Sequence, residues 1–478
     1  MKEKGIGYKV IRGKNKRADV DMSQGSILPL LLKFALPLML GNLFQQMYNM
    51  VDTWVVGNFV SNEAYSAVGT VGPIINTLIG FFSGLASGAG VVISQYYGAK
   101  SFDSVKKTVH TALVLTLIMG VAFTILGIAM VPFMLDLMQT PEEVIPEATT
   151  YLQIYFSGLM GLMLYNMGSG ILRAVGDSNR PFYFLVVCAV VNTVLDLYFV
   201  LKLNMGVAGV AWATIIAQAV SAVLVLLVLV RESGCIQVRI RELRIDWKIL
   251  KKIFKVGIPA AVQMAITSFS NVFIQSYINA FGADFMAGWT TYSKIDMVMF
   301  LPMQSIGLAA TTFVGQNLGM GKVDRAKKGA RCAFIMAEIS TLALMLPVLI
   351  FAPQLVKFFN AKEAVVAYGT QAIRVITPFY LTTCVNQVYS GTLRGAGNSA
   401  APMVIMLSSF VVFRQIYMFA VSRIFPGALL PVMLGYPAGW MLCSVLTLLY
   451  YRSVPLDKFR VVGEIGEEKD IQGIPENS

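Results

Sequence analysis

Two carboxylates and their neighbours carry the sharpest chemistry in this 478-residue chain. Asp52 and Asp196 both lie inside long apolar stretches, where an ionisable side chain is costly and usually functional. Asn192 precedes Asp196 by four residues, one turn along the same helical face. Thr214 sits in the next apolar stretch. The expected outer ends of these stretches fall near Val60, Leu203 and Gly206. At about 1.5 Å per residue, Asp52, Asp196 and Thr214 then share a depth of roughly 10–12 Å. Two carboxylates, an amide and a hydroxyl are thus expected at one level. Hard oxygen ligands of this kind suit a cation such as Na⁺. Two carboxylates facing each other also repel, so the pair can hold a proton between them. Either reading makes Asp52, Asn192, Asp196 and Thr214 an ion-coupling site, with Na⁺ or H⁺ as the ion and no organic cofactor. The structural alternative is a polar cluster that only ties helices together.

A second, looser set is Lys294, Asp296, Glu338, Arg374 and Arg414, all in or near apolar stretches of the second half. Lys294 and Asp296 are two apart and point to opposite sides of a helix. A Glu338–Arg414 or an Asp296–Arg374 pair would join helices, and a substrate role is the competing expectation. Tyr48, Trp54, Trp212 and Trp289, with 26 methionines, offer soft aromatic surface of the sort that receives apolar cations, although core packing and interfacial anchoring are the favoured explanation of each one singly.

These residues need membrane helices to position them. Apolar residues make up 56% of the chain and charged residues 13%, with a mean hydropathy of +0.67. That balance excludes disorder and a nucleic-acid-binding module, despite a net charge of +12. Five scattered cysteines without CxxC exclude a disulfide framework, and the single His110 excludes HExxH. No GxxxxGK[ST] is present, so no P-loop binds ATP. Stretches of about 20 apolar residues span a bilayer. Twelve are expected, at 28–57, 65–96, 107–134, 148–172, 182–203, 206–230, 254–281, 287–317, 329–352, 366–392, 402–424 and 430–452. Lys and Arg concentrate in alternate connections and in residues 1–17. That pattern predicts both termini in the cytoplasm and a basic tail rather than a signal peptide.

An internal repeat organises the spans. Residues 95–107 align with 316–328, and 170–181 with 391–402, both at an offset of 221. Identities are five of 13 and six of 12. Six spans per half is an even number, so the two repeats run parallel, about an axis along the membrane normal. The expected organisation is a tail at 1–25, a first lobe at 26–230, a linker at 231–253, a second lobe at 254–453 and a tail at 454–478. At the same offset Asn192 maps to Phe413 and Asp196 to Tyr417, so the second lobe is no copy of the first site. Gly80, Gly84 and Gly88 form a small-residue face for close helix packing. Pro29, Pro37 and Pro302 are candidate kinks. The stretch 461–478 reads as a disordered polar tail.

Taken together, these residues resemble the multidrug and toxic compound extrusion (MATE) family. The resemblance rests on Pro37 to Gly41, Met47 to Trp54, Leu172 to Pro181, Val191 to Asp196, Gly315 to Gly319 and Leu393 to Gly397, and spans about 25–455. It implies an all-α membrane protein of twelve helices in two parallel six-helix repeats. It further implies a non-enzymatic antiporter that exports small, cationic or amphipathic compounds against Na⁺ or H⁺. In matching members the positions of Asp52, Asn192, Asp196 and Thr214 couple the ion. One branch adds an acid in span seven, which is lacking here. A monomer in the cytoplasmic (inner) membrane is expected, in contact with lipid and not with nucleic acid. The rival readings are a flippase for a lipid-linked saccharide, from the same wider superfamily, and a non-transporting scaffold or passive channel.

Overall fold

The computed structural model describes residues 21–138, 140–279 and 281–463. The basic residues 1–20 and the last fifteen residues lie outside it. Helices dominate throughout, and there is no strand among the described residues. Six helices form the first half: α1 (Ile27–Phe59), α2 (Asn62–Gly98), α3 (Phe102–Leu137), α4 (Ile145–Ser157 and Leu159–Ala174), α5 (Asn179–Leu197) and α6 (Gly206–Arg231). Six more form the second: α7 (Trp247–Asn279), α8 (Ala283–Gly319), α9 (Val323–Ile350), α10 (Glu363–Ile376 and Tyr380–Gly395), α11 (Ala400–Met406 and Arg414–Ile424) and α12 (Leu429–Met433 and Gly435–Ser453).

Nine helices among the described residues are long and apolar enough to cross a bilayer. The other three spans have identifiable reasons for their weaker signal. Gly158 divides α4 into pieces of 13 and 16 residues. A 3₁₀ turn at Thr377–Phe379 divides α10 around Pro378. Gln263, Thr267, Ser268 and Ser270 lower the hydropathy of α7. A π-helical stretch, Leu407–Phe413, joins the two pieces of α11. The surface confirms the solvent: Ile118, Val121 and Ile125 on α3 and Val190 and Val194 on α5 are more than half exposed. Such continuous apolar surface fits lipid and not water.

The repeat is visible in backbone detail. Gly176 and Gly397, at the offset of 221, have φ of 97° and 98°, left-handed conformations that favour glycine. The next residue caps the following helix in both halves. Asp177 Oδ1 accepts the N–H groups of Asn179 and Arg180, and Asn398 Oδ1 accepts that of Ala401.

The halves meet through small residues. The Gly80–Gly84–Gly88 face of α2 lies on α7, where a Cβ at Gly84 would come within 2.4 Å of the Ala261 backbone and one at Gly88 within 2.3 Å of Gly257. At the end of the bundle that holds Met22 and Val461, α2 and α8 touch backbone to backbone. A Cβ at Gly98 would meet Gln316 O at 2.0 Å, and one at Gly319 would meet Gln95 O at 2.0 Å. Two glutamines cross this contact reciprocally. Gln95 Nε2 donates to Gly395 O at 2.9 Å, and Gln316 Nε2 donates to Ala174 O at 2.9 Å. Residues 174 and 395 are themselves repeat partners. The remaining glutamine oxygens accept Val461 N–H at 2.7 Å and Met22 N–H at 3.0 Å.

Three expectations change here. The tail expected at 1–25 includes Met22, which is fully buried. The tail expected to be disordered from 461 begins with Val461 on Gln95 and a buried Val462. The linker is no free tether either. Its residues from Trp247 onward already belong to α7, and the part before docks on α3: His110 Nε2 accepts Arg239 N–H at 3.1 Å, and Lys106 pairs with Glu242 at 2.5 Å. Pro37 and Pro302 are carried inside unbroken helices.

In Gly98→Val the new side chain would occupy the place of the Gln316 carbonyl. Spin labels at Lys100 and Asp324 should then report a longer mean separation than in the wild type. An unchanged distribution would contradict the backbone contact described here.

Candidate functional site

The first half assembles a polar cluster from helices whose outer faces are apolar. On α5, Cys188, Asn192 and Asp196 are buried while Val187, Val190 and Val194 face outward. This inverts the usual soluble pattern, as expected when the solvent is lipid. The same geometry recurs on three other helices. Each contributes a polar pair four residues apart: Tyr48 and Asp52 on α1, Tyr151 and Tyr155 on α4, Thr214 and Gln218 on α6. Four helices therefore aim four such pairs at one volume.

Asp52 is 6% exposed, Asn192 1%, Asp196 0% and Thr214 5%. The Thr214 hydroxyl donates to Asp52 Oδ2 at 3.4 Å and to Val210 O at 3.0 Å. Asp196 and Asn192 sit directly against Asp52. Tyr48 is buried beside Asp52 and Cys188. Tyr151 faces Thr214, Tyr155 faces Gln218, and the two rings stack with centroids 6.2 Å apart.

The cluster is short of partners. Asp52 Oδ1, both oxygens of Asp196 and both side-chain polar atoms of Asn192 are buried without a hydrogen-bond partner among the described residues. Nor does any cationic side chain among the described residues form an ion pair with Asp52 or Asp196. A buried carboxylate without a compensating charge is costly. The donor set is rich in oxygen, which suits a small hard cation chemically.

The second half is arranged differently. Asp296 Oδ1 accepts the hydroxyl of Tyr292 at 3.0 Å and that of Tyr380. Phe300 and Trp440 pack on Tyr380, with Trp440 also against Tyr436. Asp296 has no ion-pair partner among the described residues, and it is only partly buried. The expected Asp296–Arg374 and Glu338–Arg414 pairs do not form. Arg374 is exposed in a surface cleft with Lys357 and Glu363. Arg414 lies over the Tyr436 ring at 4.7 Å and donates to Ser270 Oγ. Glu338 neighbours Cys384. Lys294 is exposed, with its ammonium over the Phe359 ring at 5.2 Å. Pairing across helices needs facing directions around each axis, which the positions of these residues in the sequence do not give.

The MatE family model matches this chain twice, over residues 37–198 and 259–419. The chain belongs to the MatE family. The two matched segments coincide with the two copies of the internal repeat. Among curated proteins, "Probable multidrug resistance protein YpnP" of Bacillus subtilis is 31% identical over 434 residues, covering 90% of this chain and 96% of that protein. "Probable multidrug resistance protein NorM" of Thermotoga maritima is 26% identical over 438 residues, covering 90% and 94%. Among solved structures, an "outward-facing conformation of a multidrug resistance MATE family transporter of the MOP superfamily" superposes with a TM-score of 0.86 at 25% identity, covering 91% of this chain and 97% of that one. This MatE-family chain is therefore a multi-pass, all-α membrane protein of twelve helices in two six-helix repeats.

Sequence reasoning missed the Tyr151–Tyr155 pair and Gln218, although their four-residue spacing with inward faces was readable. It also missed Tyr292 and Tyr380, whose significance appears only once α8 and α10 are packed together.

Asp196→Asn removes a buried carboxylate that has no hydrogen-bond or ion-pair partner among the described residues. The variant should fold and melt in detergent at or a few degrees above the wild type. A fall of about 5 °C or more would show that the protein itself holds this carboxylate.

Proposed function

We propose that this protein is a cation-coupled antiporter that exports small organic compounds, cationic or amphipathic, from the cytoplasm. The observation that carries the reading is the buried, partner-poor cluster of Asp52, Asn192, Asp196 and Thr214. The names of its relatives as multidrug resistance proteins support the substrate class. The alternation of basic loops supports a cytoplasmic membrane location with both termini inside.

In this reading the exchange is a linkage between two occupants of one half. With the termini inside, the glutamine crossing closes the cytoplasmic end, so the ion reaches the cluster from the outside. H⁺ or Na⁺ enters at Asp52 and Asp196 and is held by oxygens that otherwise lack partners. Its arrival neutralises the charge that favours a bound organic cation, which leaves outward. The ion-loaded protein then opens inward, releases the ion and takes up new substrate. Asp296, inside its aromatic surround, supplies a second anionic contact for positively charged substrates. Of the cations that a diphosphate-handling flippase would gather, Arg414 is engaged by Tyr436 and Ser270, Lys294 lies over Phe359 and Arg374 is exposed in a surface cleft, which weighs against that reading.

Efflux of a fluorescent cationic dye from proteoliposomes tests the proposal, with Na⁺ and pH gradients imposed separately. One gradient should drive efflux, and Asp52→Asn should abolish it while expression stays normal. Wild-type rates in Asp52→Asn, or efflux indifferent to both gradients, would sink the coupling site. Asp296→Asn should slow export of a permanently charged cation more than that of a neutral amphiphile. Equal slowing of both would remove Asp296 from substrate recognition.

A further inference from the structure

We propose that the corner between the start of α1 and the α8–α9 turn binds the phosphate of an anionic phospholipid headgroup. The corner encloses a cavity of about 460 Å³, lined by Ile27, Lys322, Asp324, Arg325 and Lys328 among others. Two of its cations reach backbone carbonyls rather than acids. Lys322 Nζ donates to Ser23 O at 2.9 Å, and Arg325 Nη2 donates to Met22 O at 3.3 Å. Arg325 Nε is buried without a hydrogen-bond partner among the described residues. Lys327, Lys328 and Arg331 are exposed just beyond. No ion pair among the described residues involves any of these five, and Asp324 is the one carboxylate among the lining residues.

The internal repeat indicates what this corner lacks. The equivalent corner of the first half carries Lys106 and Lys107, the partners of Lys327 and Lys328 at the offset of 221. There the linker delivers a carboxylate, Glu242, to Lys106 at 2.5 Å. Among the described residues the acids beside the second corner are Asp324, on its lining, and Asp21, whose Oδ1 accepts the Ser23 N–H and hydroxyl, and neither forms an ion pair with its cations. That corner is left with a cavity and uncompensated charge, which suits an anionic oxygen group from outside the chain.

The surface beside the cavity selects a lipid over free phosphate. Lys328, Arg331, Ile335 and Ile339 recur at helical spacing along one face of α9. Ile335 is 49% exposed and Ile339 64%; on the adjoining α1, Leu28 and Leu32 are each 48% exposed. A cationic end above an apolar strip matches a headgroup above acyl chains. A lipid seated there touches the first helix of one half and the third helix of the other, and so clamps them together.

The full-length protein should be placed in nanodiscs of phosphatidylcholine with phosphatidylglycerol, extracted into detergent, and its retained lipid measured. Phosphatidylglycerol should be retained well above its share of the disc. Lys322→Gln with Lys328→Gln and Arg331→Gln should lower that enrichment by about tenfold or more. Lys100→Gln with Lys107→Gln, at the opposite corner, should leave it unchanged. Equal loss in both variants, or none in the triple variant, would overturn the site. If the triple variant misfolds, Ile335→Asn with Ile339→Asn keeps the cations and should still lose the lipid; full retention there would also overturn the proposal. In phosphatidylcholine discs, inorganic phosphate should not reproduce the thermal stabilisation that phosphatidylglycerol gives. Reproduction would make this a phosphate site and refute the lipid assignment.

Discussion

The structure depends on two main chains meeting with nothing between them. Where α2 and α8 cross, Gly98 lies on Gln316 O and Gly319 on Gln95 O. Any side chain at either glycine would hold the halves apart. The last residues of α4 and α10 beside this contact, Ala174 and Gly395, leave buried carbonyls that need donors. Gln95 and Gln316 supply them, each reaching into the opposite half. Their own oxygens would be left unsatisfied without the segments at Val461 and Met22. Close approach, reciprocal amides and anchored chain ends thus form one requirement rather than three separate features.

This contact also explains which parts of the two repeats stay alike. A residue at the crossing faces its own repeat partner's surroundings, so a change in one copy must be met in the other. Gln95 and Gln316, and Gly98 and Gly319, accordingly match. The polar cluster lies within one half and is under no such restraint. On α5, Asn192 and Asp196 face Asp52 of α1, whereas Phe413 and Tyr417 stand at the same positions in the second half, with Arg414 turned onto Tyr436. The halves share a frame and differ in the chemistry it encloses.

Much of this was legible in the chain itself. Spans, repeat and the company of Asp52, Asn192, Asp196 and Thr214 followed from hydropathy, offset and depth, because each is a property of single helices. The Gly80–Gly84–Gly88 face was likewise readable, though not its partner α7. What escaped was set by relations between distant helices. Tyr151 and Tyr155 join the cluster because Gly158 breaks α4 beside them and α4 packs on α6. Asp296 finds two tyrosines rather than Arg374 because Arg374 faces outward on α10. His110 holds the linker through a backbone N–H, a contact that no residue pattern in the linker announces.

The burial of Met22 has a consequence for how the molecule is made. Its partners, Gln316, Asn317 and Arg325, lie about 300 residues further along the chain. Ribosomes deliver the first helices long before α8 and α9 exist, and domains tend to form in the order of synthesis. The residues made first in the described chain are therefore among the last to reach their final places. Until α8 arrives, the Met22 N–H and carbonyl lack their partners Gln316 and Asn317. The halves are locked to one another only when the chain is nearly complete, and its beginning acts as the final fastening of the fold.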